Sequence, residues 1–315
     1  MATNSALVIG DINIDLALHA KKYPKEGGET HADKMEFRLG GSGCATAACL
    51  SLMGVPTSLS AALGDDLFGD FAMGHIQSSG IDVSLIHRIT GGQTGFFMIL
   101  ITPGGGRTMF GARGANSQAP DREELTARLE EVQHLHISGY ALHEDEQFAT
   151  VRETAEAASE AGVTVSLDPG YCTSESKGER LLGMLPLVDW LLPSKEELAL
   201  LTGEENADTS LERMLSLGCG AVALKMGNEG SMYTNGEEWV QVKAVEKPGR
   251  EIYDTTCAGD CFNAGFLKGM LEGSGPQEAL RMGNQAAFHL ITSPKGIISL
   301  IEEGTNMEFF DLPVK

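Results

Sequence analysis

The sequence predicts an α/β fold: a three-layer αβα domain with a mostly parallel central sheet, plus a small second β-sheet. Three observations predict it. From residue 135 onward, apolar segments at 135–139, 163–167, 190–192 and 221–225 alternate with helix-compatible segments at 148–161, 178–185 and from Lys195. That is the rhythm of βαβ units whose helices cover both faces of a sheet. Near the start, the apolar run 6–14 has the continuous hydrophobicity of a buried parallel strand. Residues 94–102 and 107–110 are β-prone and joined through Pro103-Gly104-Gly105-Gly106, a hairpin signal. Together with part of 12–38 they predict a small sheet projecting from the main body. No repeat, linker or low-complexity stretch divides the 315 residues. The expectation is one domain over 1–315, with the small sheet built from about 12–38 and 91–116.

The first strand ends in Gly10-Asp11-Ile12-Asn13-Ile14-Asp15. In an extended chain Asp11, Asn13 and Asp15 share one face, at the strand end where α/β proteins bind ligands. A polar-out edge strand gives the same pattern. Residues 40–50, Gly-Gly-Ser-Gly-Cys-Ala-Thr-Ala-Ala-Cys-Leu, predict a glycine-rich turn and a small-residue helix that stops near Gly54, with Pro56 beyond. Thr46 stands where a dinucleotide fingerprint needs its third glycine, and no Gly-Lys-Ser/Thr follows, so neither that motif nor a P-loop is present. A strand at 58–63 leads into the acidic turn Gly64-Asp65-Asp66-Leu67-Phe68-Gly69 and a helix. His134 and His136 alternate on one strand face, but no third ligand is suitably spaced, which argues against a metal site. Asp168-Pro169-Gly170 either lines the site or turns the chain. Residues 237–245 read as a late strand pair and 276–290 as a helix.

The most informative stretch is Asp254-Thr-Thr-Cys-Ala-Gly-Asp-Cys-Phe-Asn-Ala-Gly-Phe266. Cys257, Ala258 and Gly259 are small enough for bare backbone to approach a ligand. At the start of a helix running to about Leu271 their N–H groups lack intrahelical partners and suit an anion. Asp260 follows at once. Beside a phosphate its charge would repel; as a general base for a hydroxyl it belongs there. The competing reading is a first-turn Asp that only caps the helix.

Composition bounds the rest. The chain is 42% hydrophobic and 21% charged, as in a soluble globular protein, with no run of the roughly 18 residues a membrane span needs. The first residues lack the basic region of a signal peptide. The six cysteines (44, 49, 172, 219, 257, 261) form no Cys-x-x-Cys pair, so free thiols in a cytoplasmic location are expected. A formal net charge of −21 excludes non-specific nucleic-acid binding and attachment to anionic membranes, but not a nucleotide substrate.

The 254–266 block resembles the C-terminal signature of the ribokinase-like (PfkB) sugar kinases. Four further blocks resemble that family in the same order: Gly40–Thr46, Gly64–Gly69, Leu192–Glu197 against an Asn-x-x-Glu motif, and Lys225–Gly230 against a Gly-x-x-Gly turn. The likeness runs from Gly10 to about Gly296. Departures are Cys257 for Gly or Ala, Ser42 for the Lys of ribokinase, Ala45 for Asn, and Ser194 for Asn.

The resemblance implies a ribokinase-like fold whose small sheet is a lid, and ATP-dependent phosphorylation of a sugar hydroxymethyl. It makes Asp260 the base and Cys257, Ala258 and Gly259 the anion hole. It gives Asn13, Asp15, Gly41, Ser42, Ala45 and Tyr140 to the substrate, and Ser194, Lys225, Gly227, Gly230 and Asn284 to ATP. Glu197 would hold Mg²⁺ through water. Asp254, Thr256, Ile291, Pro294 and Gly296 would form a monovalent-cation (K⁺) site, largely of backbone carbonyls. A homodimer through the lid is a further expectation. Ribose, fructose, 2-keto-3-deoxygluconate and nucleosides all remain open as substrates. The 40–46 loop offers no Lys or Arg for a second phosphate, although Arg38, Arg107 and Arg113 could supply one from the lid. The alternatives are a nucleoside kinase and a catalytically silent sugar- or nucleotide-binding regulator on the same fold. A nicotinamide oxidoreductase lacks its glycine fingerprint.

Overall fold

The computed structural model describes residues 4–103, 107–204, 206–245 and 249–304. Gly104-Gly105-Gly106 of the expected hairpin turn and the two chain ends lie outside the described residues. In chain order the strands are β1 (Ala6–Ile9), β2 (Asn13–Ala20), β3 (Ala32–Gly40), β4 (Thr57–Gly64), β5 (Ile86–Ile89), β6 (Gly95–Ile101), β7 (Arg107–Ala112), β8 (His134–Ser138), β9 (Thr164–Asp168), β10 (Trp190–Leu191), β11 (Ala221–Lys225), β12 (Ser231–Thr234) and β13 (Trp239–Val242). The α-helices are α1 (Ser42–Leu52), α2 (Leu67–Ser78), α3 (Arg122–Leu129), α4 (Asp145–Ala161), α5 (Tyr171–Met184), α6 (Lys195–Thr202), α7 (Ala207–Ser216), α8 (Ala258–Leu271), α9 (Pro276–Ile291) and α10 (Ile297–Glu303).

Among the described residues the strands form two sheets. The large one has the order β13-β12-β11-β10-β9-β8-β1-β4-β5. It is parallel from β5 to β11 and antiparallel at β12 and β13. Period-2 alternation divides its side chains between two cores. Ala6 and Val8 of β1 pack in the core beneath α1, α8, α9 and α10, and Leu7 and Ile9 in the core beneath α3 to α7. The expected three layers follow.

The small sheet has the order β3-β2-β6-β7 and draws on the two expected segments. Its cross-strand register puts Asp15, Arg38, Phe97 and Gly111 on one face and Leu16, Phe37, Met98 and Phe110 on the other.

The expected single strand over 6–14 is two strands in different sheets. The chain leaves the large sheet after Ile9 and re-enters a sheet at Asn13. Gly10 makes the crossing possible, since a Cβ there would lie 2.5 Å from Gly43 Cα at the entrance to α1. Asp11 therefore lies between the strands, not on a strand face shared with Asn13 and Asp15. The late strand pair also shifts: β13 falls within 237–245, but its partner β12 precedes that range.

β1 sits between β4 and β8, where successive connections turn to opposite sides. A crevice outside the carboxyl ends of strands at such a switch point is where open α/β sheets bind ligands. Here it receives Asp11 after β1, Tyr140 after β8, Asp168 at the end of β9 and Lys225 at the end of β11.

Candidate active site

The crevice is a cleft of about 1060 Å³ between the carboxyl edge of the large sheet and the Asp15 face of the small one. On its floor lies the start of α8. Cys257, the residue before the helix, has φ 61°, the only positive φ of a non-glycine among the described residues. No side chain caps this helix. Ala258 N–H reaches back to Thr255 O at 3.3 Å, whereas the N–H groups of Cys257 and Gly259 have no hydrogen-bond partner among the described residues. Two unpaired amides thus stand at the positive end of a 14-residue helix, where an anion is favoured. Of the three expected amides, Ala258 is thus the one already engaged.

Asp260 stands one residue further on. Ser42 Oγ, from the first turn of α1, donates to its Oδ1 at 2.7 Å. Burial and the nearby Asp168 charge push its carboxyl up from 3.8 to about 7. Asp260 sits in the first turn of α8 without capping it, and its side chain meets Ser42 of α1. A carboxyl poised near neutrality can accept a proton from a hydroxyl.

Across the cleft, Asp15 is likewise pushed up to about 7, by burial and by repulsion from Asp11, with Arg38 partly offsetting. Asp11 accepts from Gly43 N–H at 3.2 Å and from Asn13 Nδ2 at 2.8 Å, which fixes the entrance to α1. Asn116 Nδ2 donates to Asn13 Oδ1 at 2.8 Å, and the same side chain bonds the Ile12 backbone through both its donor and its acceptor. Tyr140 also lines the cleft, and burial keeps its phenol protonated.

The third wall carries a buried charge pair that sequence reasoning only half found. Lys225 Nζ donates to Asp168 Oδ2 at 2.8 Å, and Asn263, one turn beyond Asp260 on α8, donates to the same oxygen. Burial pushes Asp168 up, but Lys225 and Asn263 outweigh it and hold the carboxyl below its ordinary value. Asp168 thus both lines the cleft and turns the chain, since its Oδ1 accepts from Gly170 N–H at 3.1 Å while Oδ2 takes Lys225 and Asn263; Asn263 was missed. Its signal was the three-residue spacing from Asp260, which places both on one helix face.

Ser194 and Glu197 form a capping box at the start of α6: Glu197 N–H donates to Ser194 Oγ at 3.1 Å and Ser194 N–H to Glu197 Oε2 at 2.7 Å. Glu197 also lines the cleft, with its pKa raised by burial and the Asp168 charge.

Gly41, Gly227 and Thr256 line the cleft as well. Ala45 does not: one turn into α1 its methyl is buried in the core beneath that helix. Gly230 turns the chain at φ 97° away from the cleft wall. Asn284 donates to Lys243 O at 3.1 Å, tying α9 to the end of β13. Asp254, Ile291, Pro294 and Gly296 do not line the cleft, and Tyr253 N–H donates to Ile291 O at 2.8 Å. His134 and His136 are core residues bonded to Thr164 and Ser166. The three candidate phosphate-binding arginines are engaged within the protein: Arg38 with Asp254 and Glu36, Arg107 with Thr256, and Arg113 with Asn116 O, Tyr140 O and Gln147.

A sequence model described as the pfkB family carbohydrate kinases matches residues 3–303. The chain belongs to this family. It is a carbohydrate kinase by that membership. A ribokinase of Arabidopsis thaliana is 30% identical over 301 residues, spanning 93% of this chain and 77% of the relative. A solved structure of Arabidopsis thaliana ribokinase complexed with ribose and ATP has a TM-score of 0.81 at 24% identity, covering 98% of this chain and all of that one. A putative ribokinase II from E. coli, in complex with ATP and Mg²⁺, has a TM-score of 0.80 at 22% identity over 95% of this chain and 96% of that one. These likenesses establish the ribokinase-like fold for this pfkB-family chain.

Proposed function

We propose that the protein transfers the γ-phosphoryl group of ATP to a hydroxymethyl of a sugar or sugar-like substrate, with Asp260 as general base. The observation that carries this reading is the meeting of Asp260, near neutral pKa, with the unpaired amides of Cys257 and Gly259 at one helix end. A base that removes the hydroxyl proton and donors aimed at the transferring group are what phosphoryl transfer asks of a protein, whose part is positioning and electrostatics.

Asp15 and Asn13 grip substrate hydroxyls from the small sheet, and Tyr140 closes the far side. Lys225, held by Asp168, presents positive charge to the phosphates. The small sheet acts as a lid whose approach expels water. Ser194, Lys225 and Gly227 line the cleft and would contact the nucleotide.

The residues present fit Mg²⁺. A hydrated Mg²⁺ held chiefly by substrate phosphates needs only one or two carboxylates, and the capping box occupies only Oε2 of Glu197. Glu197 would hold the ion through water. Held there, Mg²⁺ would supply neutralisation of the negative charge on the phosphates.

The engaged arginines favour a substrate without a second phosphate. Phe37 and Phe110, 45% and 51% exposed on the outer face of the small sheet, support a homodimer through that face, which size-exclusion chromatography with light scattering would test. All six cysteines are free, which fits a cytoplasmic location.

Coupled ADP release across pentoses, hexoses, sugar acids and nucleosides tests the reading. Saturable turnover that Asp260→Asn abolishes supports it, and turnover confined to nucleosides would move the assignment to a nucleoside kinase. Turnover on the sugars that survives in Asp260→Asn would remove the base assignment.

A further inference from the structure

Asp254 is the residue the family likeness gives to a monovalent cation, and its surroundings do not fit one. Its Oδ2 accepts from Arg38 Nη1. Its Oδ1 accepts from Thr256 N–H and Thr256 Oγ–H, each at 3.0 Å, and lies 3.5 Å from Arg107 Nη1. Arg107 Nη1 in turn donates to Thr256 Oγ1 at 3.0 Å. Arg38 is buried at 7% exposure and the Asp254 side chain is 11% exposed, so this ion pair is shielded from water. A second cation on the same carboxylate would face a buried guanidinium at close range, where like charges repel strongly. The Ile291 carbonyl, another expected ligand, already accepts from Tyr253 N–H at 2.8 Å.

Both arginines come from the small sheet. Arg38 is on β3, directly across from Asp15 on β2, and Arg107 begins β7. The turn they hold, 254–256, runs straight into Cys257 and the amides of the anion hole. We propose that Arg38 supplies the positive charge that a monovalent cation would supply, and that Arg38 and Arg107 are positioning residues fixing the 254–256 turn beneath the anion hole. The protein is then active without K⁺, and the small sheet is coupled to the phosphoryl-binding amides by an ion pair at one end and to the substrate by Asp15 at the other. A guanidinium suits this task because its rigid fork stays charged and engages Glu36 as well as Asp254. The inference rests on the kinase reading for its catalytic consequence, but not for its cation-binding consequence.

The test uses the full chain in KCl, NaCl and tetramethylammonium chloride at one ionic strength, with melting temperature and turnover read in parallel. For the wild type the expected result is no K⁺-specific rise in Tm, since a ligand that binds the folded state would raise it, and equal kcat in the three salts. Arg38→Met should lose on the order of tenfold to a hundredfold in kcat, the scale of a disturbed oxyanion hole. It should also acquire a K⁺-specific gain in both Tm and kcat, which loss of packing alone would not produce. A K⁺-specific rise in wild-type Tm, or marked K⁺ activation of the wild type, overturns the proposal without any variant having to fold. Absence of turnover with a flat wild-type Tm would fail the kinase reading and leave the cation result standing in the proposal's favour.

Discussion

Replacing Asp260 by Asn separates the chemistry of this carboxylate from its cost to the fold. In the folded chain its pKa is about 7 against an ordinary 3.8, mainly through burial and then through Asp168. A folded-state pKa above the unfolded value means that the protonated form is favoured by folding. The resulting stability is fully present below pH 3.8, is lost as pH rises through about 7, and is gone above it. At about 1.4 kcal/mol per pH unit, ionised Asp260 destabilises the fold at alkaline pH by up to about 4 kcal/mol. Part of that comes from charges that can relax, so about 2 kcal/mol is the working expectation. The Asn side chain keeps an acceptor for Ser42 Oγ and carries no charge. Asp260→Asn should therefore raise Tm at pH 8.5 by about 4 °C, at about 2 °C per kcal/mol for a chain of this size, and the advantage should vanish near pH 4. The same variant should lose at least about a hundredfold in kcat, the contribution of a general base. Differential scanning calorimetry across pH, with coupled turnover at pH 8, reads both. A variant less stable than wild type at pH 8.5 would refute the electrostatic reasoning, and normal kcat would refute the base assignment.

Other perturbations probe separate parts of the account. Glu197→Gln keeps an acceptor for the Ser194 N–H, so Tm should hold while the Mg²⁺ concentration for half-maximal turnover rises about tenfold; titrating Mg²⁺ at fixed ATP decides it. Glu197→Ala should in addition lose about 1 kcal/mol of helix capping, visible in urea denaturation. Cys257→Gly removes a side chain from a left-handed backbone and should stabilise the fold by up to about 1 kcal/mol with turnover retained; a large loss of turnover would show that the Cys257 side chain takes part. Phe266, fully buried where α8 meets β10 and β12 through Trp190 and Tyr233, should cost about 3–5 kcal/mol when replaced by Ala, measured as a shift in urea midpoint at constant slope.

Much of the fold was legible because its signals are local. The small-residue helix α1, the strand β11 and the helix α9 fall within a residue or two of their expected bounds, since glycines, prolines and apolar periodicity mark them. The break between β1 and β2 was not legible. Ile12 and Ile14 continue the apolar pattern of Ala6–Ile9, and only contact between Gly10 and Gly43, distant in sequence, moves the chain to another sheet. The short strand β5 and the polar helix α3 carry too little hydrophobic pattern to stand out.

The site divides in the same way. Asp260, the 257–259 backbone and Glu197 sit within contiguous motifs and line one cleft. The Asp168–Lys225–Asn263 cluster joins three elements, so no local pattern could show that Asp168, besides turning the chain onto Gly170 N–H, is a charge partner. Arg38 meets Asp254 across 216 residues of chain, so no local pattern around 254–256 or 291–296 could show that this carboxylate already holds a guanidinium.

The most direct test of the central claim is ADP release from Mg²⁺-ATP by wild type and Asp260→Asn over a panel of pentoses, hexoses, sugar acids, nucleosides and sugar phosphates. The account predicts saturable turnover by the wild type on an unphosphorylated sugar or sugar acid, with an acid limb near pH 7, and its loss in the variant. Silence of the wild type across the panel while ATP still binds, or turnover undiminished in Asp260→Asn, would contradict it.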